Sequence, residues 1–218
     1  MSRIVVPLVL VAMVLFASAP LVVANAPFEQ TMGLVQKIFY YHVPSAMLMF
    51  VSALLCGIAS AVYLFRGSAA ADRVAVAAGE LVVLFGIIVL ITGPLWARKA
   101  WGVWWEWDAR LTSSLLLWMI FLAYLLVRRF GGPGSEKLAG AMALFGMANV
   151  PFVHVSVNYW RTLHPKTSVV MTLAPGMRGA FWFCAAAFAV LYVLLLTLRK
   201  RLEDKRAVVE QLYLAVED

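Results

Sequence analysis

Six long apolar runs, at roughly 4–24, 44–65, 76–96, 111–128, 138–157 and 179–198, leave this 218-residue chain few folds to choose from. An α-helix rises about 1.5 Å per residue, so about 20 apolar residues cross the roughly 30 Å of bilayer hydrocarbon. Within hydrocarbon no water is available to the backbone, so each run must close its hydrogen bonds internally. The expected fold is therefore an all-α membrane protein of six transmembrane helices. Composition agrees: 64% of residues are hydrophobic and 13% charged, whereas soluble domains average about 45–50% apolar and about 25% charged. The net charge of +7 is then a report on orientation and not on nucleic-acid binding. The first run ends in Ala24-Asn25-Ala26, which resembles a signal-peptidase site. Its roughly 21 apolar residues exceed the h-region of about 7–15 expected of a signal peptide, so it is read as a retained helix.

Lys and Arg between the runs fall unevenly. Eleven lie on one side: Arg3, Arg66, Arg73, Arg128, Arg129, Lys137, Arg199, Lys200, Arg201, Lys205 and Arg206. Seven lie on the other: Lys37, Arg98, Lys99, Arg110, Arg161, Lys166 and Arg178. The positive-inside rule then puts both termini in the cytoplasm and the second set of loops outside. The domain reading is a transmembrane unit over 1–198 followed by a charged cytoplasmic tail over 199–218, a solvated helix extending the last run. Cys56 and Cys184 sit inside apolar runs and read as inert buried thiols. The chain has no C-x-x-C-H for covalent c-type haem attachment and no G-x-x-x-x-G-K-[ST] for ATP.

The outer segments hold the unusual chemistry. WGVWWEWDARLT, from Trp101 to Thr112, carries four of the eight tryptophans. If helical, Trp101, Trp104, Trp105 and Asp108 share one face, with Trp107 pointing elsewhere. An interfacial aromatic belt accounts for scattered tryptophans such as Trp96, Trp118, Trp160 and Trp182. It does not account for four in seven residues beside an acid, which suit a flat ligand. Of three histidines, His42 lies in MGLVQKIFYYHVPSA (Met32 to Ala46), where Met32, Val35, Ile38, Phe39 and His42 give one face of an amphipathic surface helix. Pro44 would open the second span. His164 lies in NYWRTLHP, where Pro165 disfavours helix and makes an exposed turn. His154 falls within the fifth run and is expected inside the bundle. Two imidazoles beside a flat aromatic platform, with basic groups for anionic propionates, point to haem.

At these residues the chain resembles a known family. WGVWWEWDARLT is similar to the tryptophan-rich WWD signature of haem-handling membrane proteins of cytochrome c biogenesis. The six runs, the signature between the third and fourth, and the flanking histidines resemble the CcmC branch over nearly the whole chain. That resemblance implies non-covalent haem b, with His42 and His164 as axial iron ligands. It implies that Trp101, Trp104, Trp105, Trp107, Asp108 and Arg110 form the haem-binding region. It implies presentation of haem on the outer face of the bacterial inner membrane to the haem chaperone CcmE. CcmA and CcmB would form the associated ABC module and CcmD a small helper. The chain would thus be a haem-handling subunit and not an enzyme. A haem transporter would instead require polar residues within the spans, of which Glu80, Asn149 and His154 are the candidates. A cytochrome b subunit would place its ligands inside the bundle, where only His154 is expected.

Overall fold

The computed structural model describes residues 4–217. Arg3, one of the basic residues counted above, and Asp218, the last residue of the tail, lie outside them. The described chain is all-helical: α1 (Val5–Asn25), α2 (Phe39–Arg66), α3 (Ala69–Trp101), α4 (Ala109–Phe130), α5 (Ser135–Tyr159) and α6 (Pro175–Glu217), with short 3-10 turns at Leu34–Ile38 and Thr167–Val170. All six α-helices are long and apolar enough to cross a membrane.

The helix ends follow local chemistry. Gly67 turns α2 into α3 at φ 65°, and Ser68 then caps α3 by accepting the Ala71 N–H at 3.3 Å. At the far end of α3, Gly102 adopts φ 78° and stops the helix directly after Trp101. A positive φ is open to glycine because it lacks Cβ. α6 runs without a break from Pro175 to Glu217, past Leu198.

α2 packs against α3 and α5, α4 against α5 and α3, and α6 against α1, α3 and α2. Small residues allow the approach: Ala53, Cys56 and Ala59 of α2 share the core with Ala75 and Ala78 of α3, filled in by Met49, Phe85, Phe121 and Tyr124. Lipid tails are as apolar as the side chains, so close packing of small residues holds membrane helices together. Trp118, expected in an interfacial belt, is instead half-buried in a groove of α3. Its Nε1–H donates to the Val83 carbonyl at 3.1 Å, and a Cβ on Gly86 would stand 2.5 Å from its Cδ1. Gly86→Val is expected to lower stability by about 1–3 kcal/mol through overpacking. Gly179→Ala, whose Cβ would meet nothing within 4 Å, should leave the thermal unfolding midpoint in detergent unchanged.

One end of the bundle is tied by ion pairs. Arg128 of α4 meets Asp72 of α3 at 2.7 Å, and Arg73 of α3 meets Asp204 of α6 at 2.7 Å. Arg199 of α6 binds both Glu80 of α3 and Glu203 of its own helix. At the opposite end the start of α2 lies beside α3 and α6, and the start of α4 lies beside the loop after α5. That end carries His42, the tryptophans and His164.

Candidate functional site

The first wall is built from α2 and α3. The stretch 32–42 does not lie on the surface as a separate amphipathic helix. A 3-10 turn at Leu34–Ile38 runs straight into α2, so His42 sits in the first turn of the second span and Pro44 lies inside it. Packing explains the difference: Phe39 is buried against Phe181 of α6, ring centroids 5.4 Å apart, which pulls the segment into the bundle. Gln36 faces α3 and accepts the Trp96 Nε1–H at 3.1 Å. His42 is half-buried, with Nδ1 2.8 Å from Oγ1 of Thr92 on α3. The Thr92 hydroxyl in turn donates to the Ile88 carbonyl at 2.6 Å.

The tryptophan stretch forms the second wall, and its geometry differs from the helical face expected of Trp101, Trp104, Trp105 and Asp108. Because Gly102 ends α3, residues 102–108 are not helical and the i, i+3, i+4, i+7 spacing has no face to define. Trp101 packs edge-on against Trp96 at 5.2 Å. Trp104 is exposed, with the Arg98 guanidinium 5.9 Å from its ring. Trp105 and Trp107 meet edge-on at 5.8 Å, and Trp107 is 75% exposed. The Nε1–H of Trp105 is buried and has no hydrogen-bond partner in the protein. An unmatched buried donor costs about 1–3 kcal/mol, which makes it a natural seat for an acceptor from outside the chain.

Asp108 does more than edge the aromatic surface. Its Oδ1 accepts the Leu111 N–H at 2.8 Å and caps α4, while Oδ2 accepts the hydroxyl of Thr162 in the loop after α5. Thr162 Oγ1 then accepts the backbone N–H of His164 at 3.0 Å. A single carboxylate thus fixes both the start of α4 and the loop that carries His164.

His164 lies in a turn, as Pro165 leads one to expect, but its ring is half-buried. Its Nδ1 lies 2.8 Å from the Pro165 carbonyl. A carbonyl only accepts, so Nδ1 holds the proton and Nε2 keeps a free lone pair. Burial, and secondarily the Arg110 charge, push the imidazole down to about 4, against smaller upward pulls from the Pro165 carbonyl and Asp108. The ring is therefore neutral near pH 7, the form that coordinates iron. Arg110 is aimed into the bundle: its Nη1 donates to the Val153 carbonyl of α5 at 2.5 Å and its guanidinium stands 5.7 Å from the Phe50 ring. His42, His164 and Arg110 lie within electrostatic reach of one another.

His154, expected inside the bundle, is exposed on the outer surface of α5. Of the other polar candidates within the spans, Glu80 is paired with Arg199, and Asn149 Nδ2 donates to the Ser113 carbonyl at 3.0 Å. The remaining cations of this end divide. Lys37 donates to the Ala24 carbonyl at 2.7 Å, Arg98 to the Gly102 carbonyl and Arg178 to the Leu173 carbonyl at 2.8 Å. Arg161, Lys166 and Lys99 are exposed. Thr92 and Thr162, which hold the two histidines in place, were not singled out by sequence reasoning. The one signal available was Thr92-Gly93-Pro94, three residues poorly suited to the middle of a long apolar helix.

A family model described as heme exporter protein C, CcmC, matches residues 1–213. The chain belongs to the CcmC family. Among curated proteins, heme exporter protein C of Bradyrhizobium diazoefficiens is 37% identical over 175 residues, 79% of this chain and 66% of that protein. Heme exporter protein C of Escherichia coli (strain K12) is 31% identical over 201 residues, 87% of this chain and 80% of its own length. The Paracoccus denitrificans protein of the same name is 33% identical over 189 residues, 83% of this chain and 78% of its own. Membership in CcmC, with six helices able to span a bilayer, makes this a multi-pass membrane protein with a role in haem handling for cytochrome c biogenesis.

Proposed function

We propose that the chain holds haem b non-covalently between His42 and His164 on the outer face of the inner membrane and hands it to the haem chaperone CcmE. The observation that carries this reading is the matched state of the two imidazoles. Each has Nδ1 engaged by an oxygen, His42 with Thr92 and His164 with Pro165, which leaves each Nε2 for iron. Metal-binding histidines are normally oriented in this way by a partner on the other ring nitrogen. Trp101, Trp104, Trp105 and Trp107 would cradle the macrocycle, and the buried, unpartnered Trp105 Nε1–H suits a propionate oxygen. Asp108 would hold the His164 loop in register. Arg110, within reach of both rings, would offset propionate charge. When bound, haem supplies the iron and its redox chemistry. The residues of the chain orient it and shield one face.

In this reading residues 1–198 form the haem-handling unit and 199–218 a cytoplasmic tail. CcmA and CcmB serve as the ABC module and CcmD as a helper, and the chain itself is not an enzyme. Movement of haem through the bundle finds less support, because Glu80 and Asn149 already have partners within the protein. A cytochrome b arrangement finds less support still, because His154 faces outward.

The test is a titration of haem into the haem-free protein in detergent. Saturation at one haem per chain with a low-spin spectrum is expected, followed by transfer to added haem-free CcmE. Binding no tighter than that of a His42→Ala/His164→Ala double variant would overturn the proposal.

A further inference from the structure

We propose that Thr92 is a positioning residue for His42. Through one hydrogen bond it fixes the protonated nitrogen of the ring and aims Nε2 away from α3. The inference rests on the reading of His42 as a haem ligand and assigns the residue that prepares it. The Thr92 hydroxyl has one hydrogen and lies 2.6 Å from the Ile88 carbonyl, which can only accept. That hydrogen is therefore committed along α3, and the oxygen presents a lone pair. His42 Nδ1 lies 2.8 Å from the same oxygen. Two acceptors cannot bond each other, so Nδ1 carries the ring proton and Nε2 is bare.

The neighbourhood makes this bond hard to replace. The ring lies against Gly93, where a Cβ would stand 3.4 Å from His42 Cε1, so α3 passes close behind it. His42 and Thr92 are both half-buried between α2 and α3, which restricts the access of a water that could take the place of the hydroxyl. Without the oxygen, Nδ1–H would be buried unmatched. The ring would then turn or move its proton to Nε2, the nitrogen that iron needs. His164 is held differently, by the carbonyl of its own neighbour Pro165. The two rings are therefore set independently, and only at His42 is the ring nitrogen itself held by a side chain.

The experiment compares wild type, Thr92→Val, Thr92→Ser and His42→Ala, first without haem and then with it. Nitrogen-15 NMR of histidine-labelled, haem-free protein reads which ring nitrogen is protonated, with His42→Ala identifying the His42 signals. Wild type and Thr92→Ser should show Nδ1–H for His42, and Thr92→Val should show loss of that single form. Haem titrations should then show about 10–100-fold weaker binding for Thr92→Val and recovery in Thr92→Ser. Thr92→Val with an unchanged tautomer and wild-type affinity overturns the inference. His42→Ala with wild-type affinity overturns the ligand reading instead, while the NMR result, taken without haem, still decides what Thr92 does to the ring.

Discussion

His42→Ala is expected to abolish low-spin haem binding, and His164→Ala to weaken it and turn the bound haem high-spin. In the proposed site each change deletes a nitrogen that would hold the iron, so each should cost more than the roughly 10–100-fold typical of losing a group that only supports a ligand. The two should not be equal. His42 stands on α2 and is held to α3 through Thr92, so two packed helices fix its position. His164 stands in a loop and is fixed through Thr162 and Pro165. Ligands on rigid elements are more exactly placed than ligands on loops. Losing His42 therefore removes the better-placed nitrogen. Haem content per chain and the ferric and ferrous absorption spectra of the purified proteins measure both effects. Added imidazole should restore a low-spin spectrum to His164→Ala, whose ligand stands in a loop at the end of the bundle. Equal and complete retention of the wild-type spectrum in both variants would contradict the assignment.

Asp108→Ala is expected to damage the site without unfolding the bundle. The carboxylate caps α4 through Leu111 N–H and anchors the His164 loop through Thr162. Loss of the cap should cost about 1 kcal/mol, too little to undo six packed helices. Loss of the anchor frees Thr162, and with it the bond to the His164 backbone N–H. Haem affinity should fall about 10–100-fold. Trypsin should also cut faster at Arg161 and Lys166, both exposed beside that anchor. Asp108→Asn keeps an acceptor oxygen and should fall between wild type and Asp108→Ala in both assays. Unchanged cleavage and unchanged affinity in Asp108→Ala would mean that the Thr162 contact does not hold the loop.

The helices were legible in the sequence because hydrocarbon thickness and backbone hydrogen bonding leave little freedom to long apolar runs. Their ends were less legible. α3 extends from Ala69 to Trp101, where 76–96 was expected, because charged residues continue a helix beyond the apolar stretch that marks it. The segment before α2 departs from its sequence pattern for a related reason. Met32, Val35, Ile38 and Phe39 have the spacing of an interfacial helix, but Phe181, more than a hundred positions away, draws Phe39 into the bundle. The regular spacing of Trp101, Trp104, Trp105 and Asp108 suggested a helical face, yet Gly102 stops the helix one residue into it. Asp108 illustrates what spacing cannot convey. Its position in the sequence makes it the charged edge of an aromatic surface, but its bonds run to α4 and to a loop beginning more than fifty positions later. Likewise His154 was expected inside because its run is apolar, but the turn of α5 at that position carries it outward.

Electron paramagnetic resonance of the frozen ferric protein loaded with one haem tests the central claim most directly, because it reads the axial ligands themselves. The expected result is a low-spin signal characteristic of two imidazoles, lost in His42→Ala and in His164→Ala and unchanged in His154→Ala. A high-spin wild-type signal, or a low-spin signal that disappears only in His154→Ala, would contradict a haem held between His42 and His164.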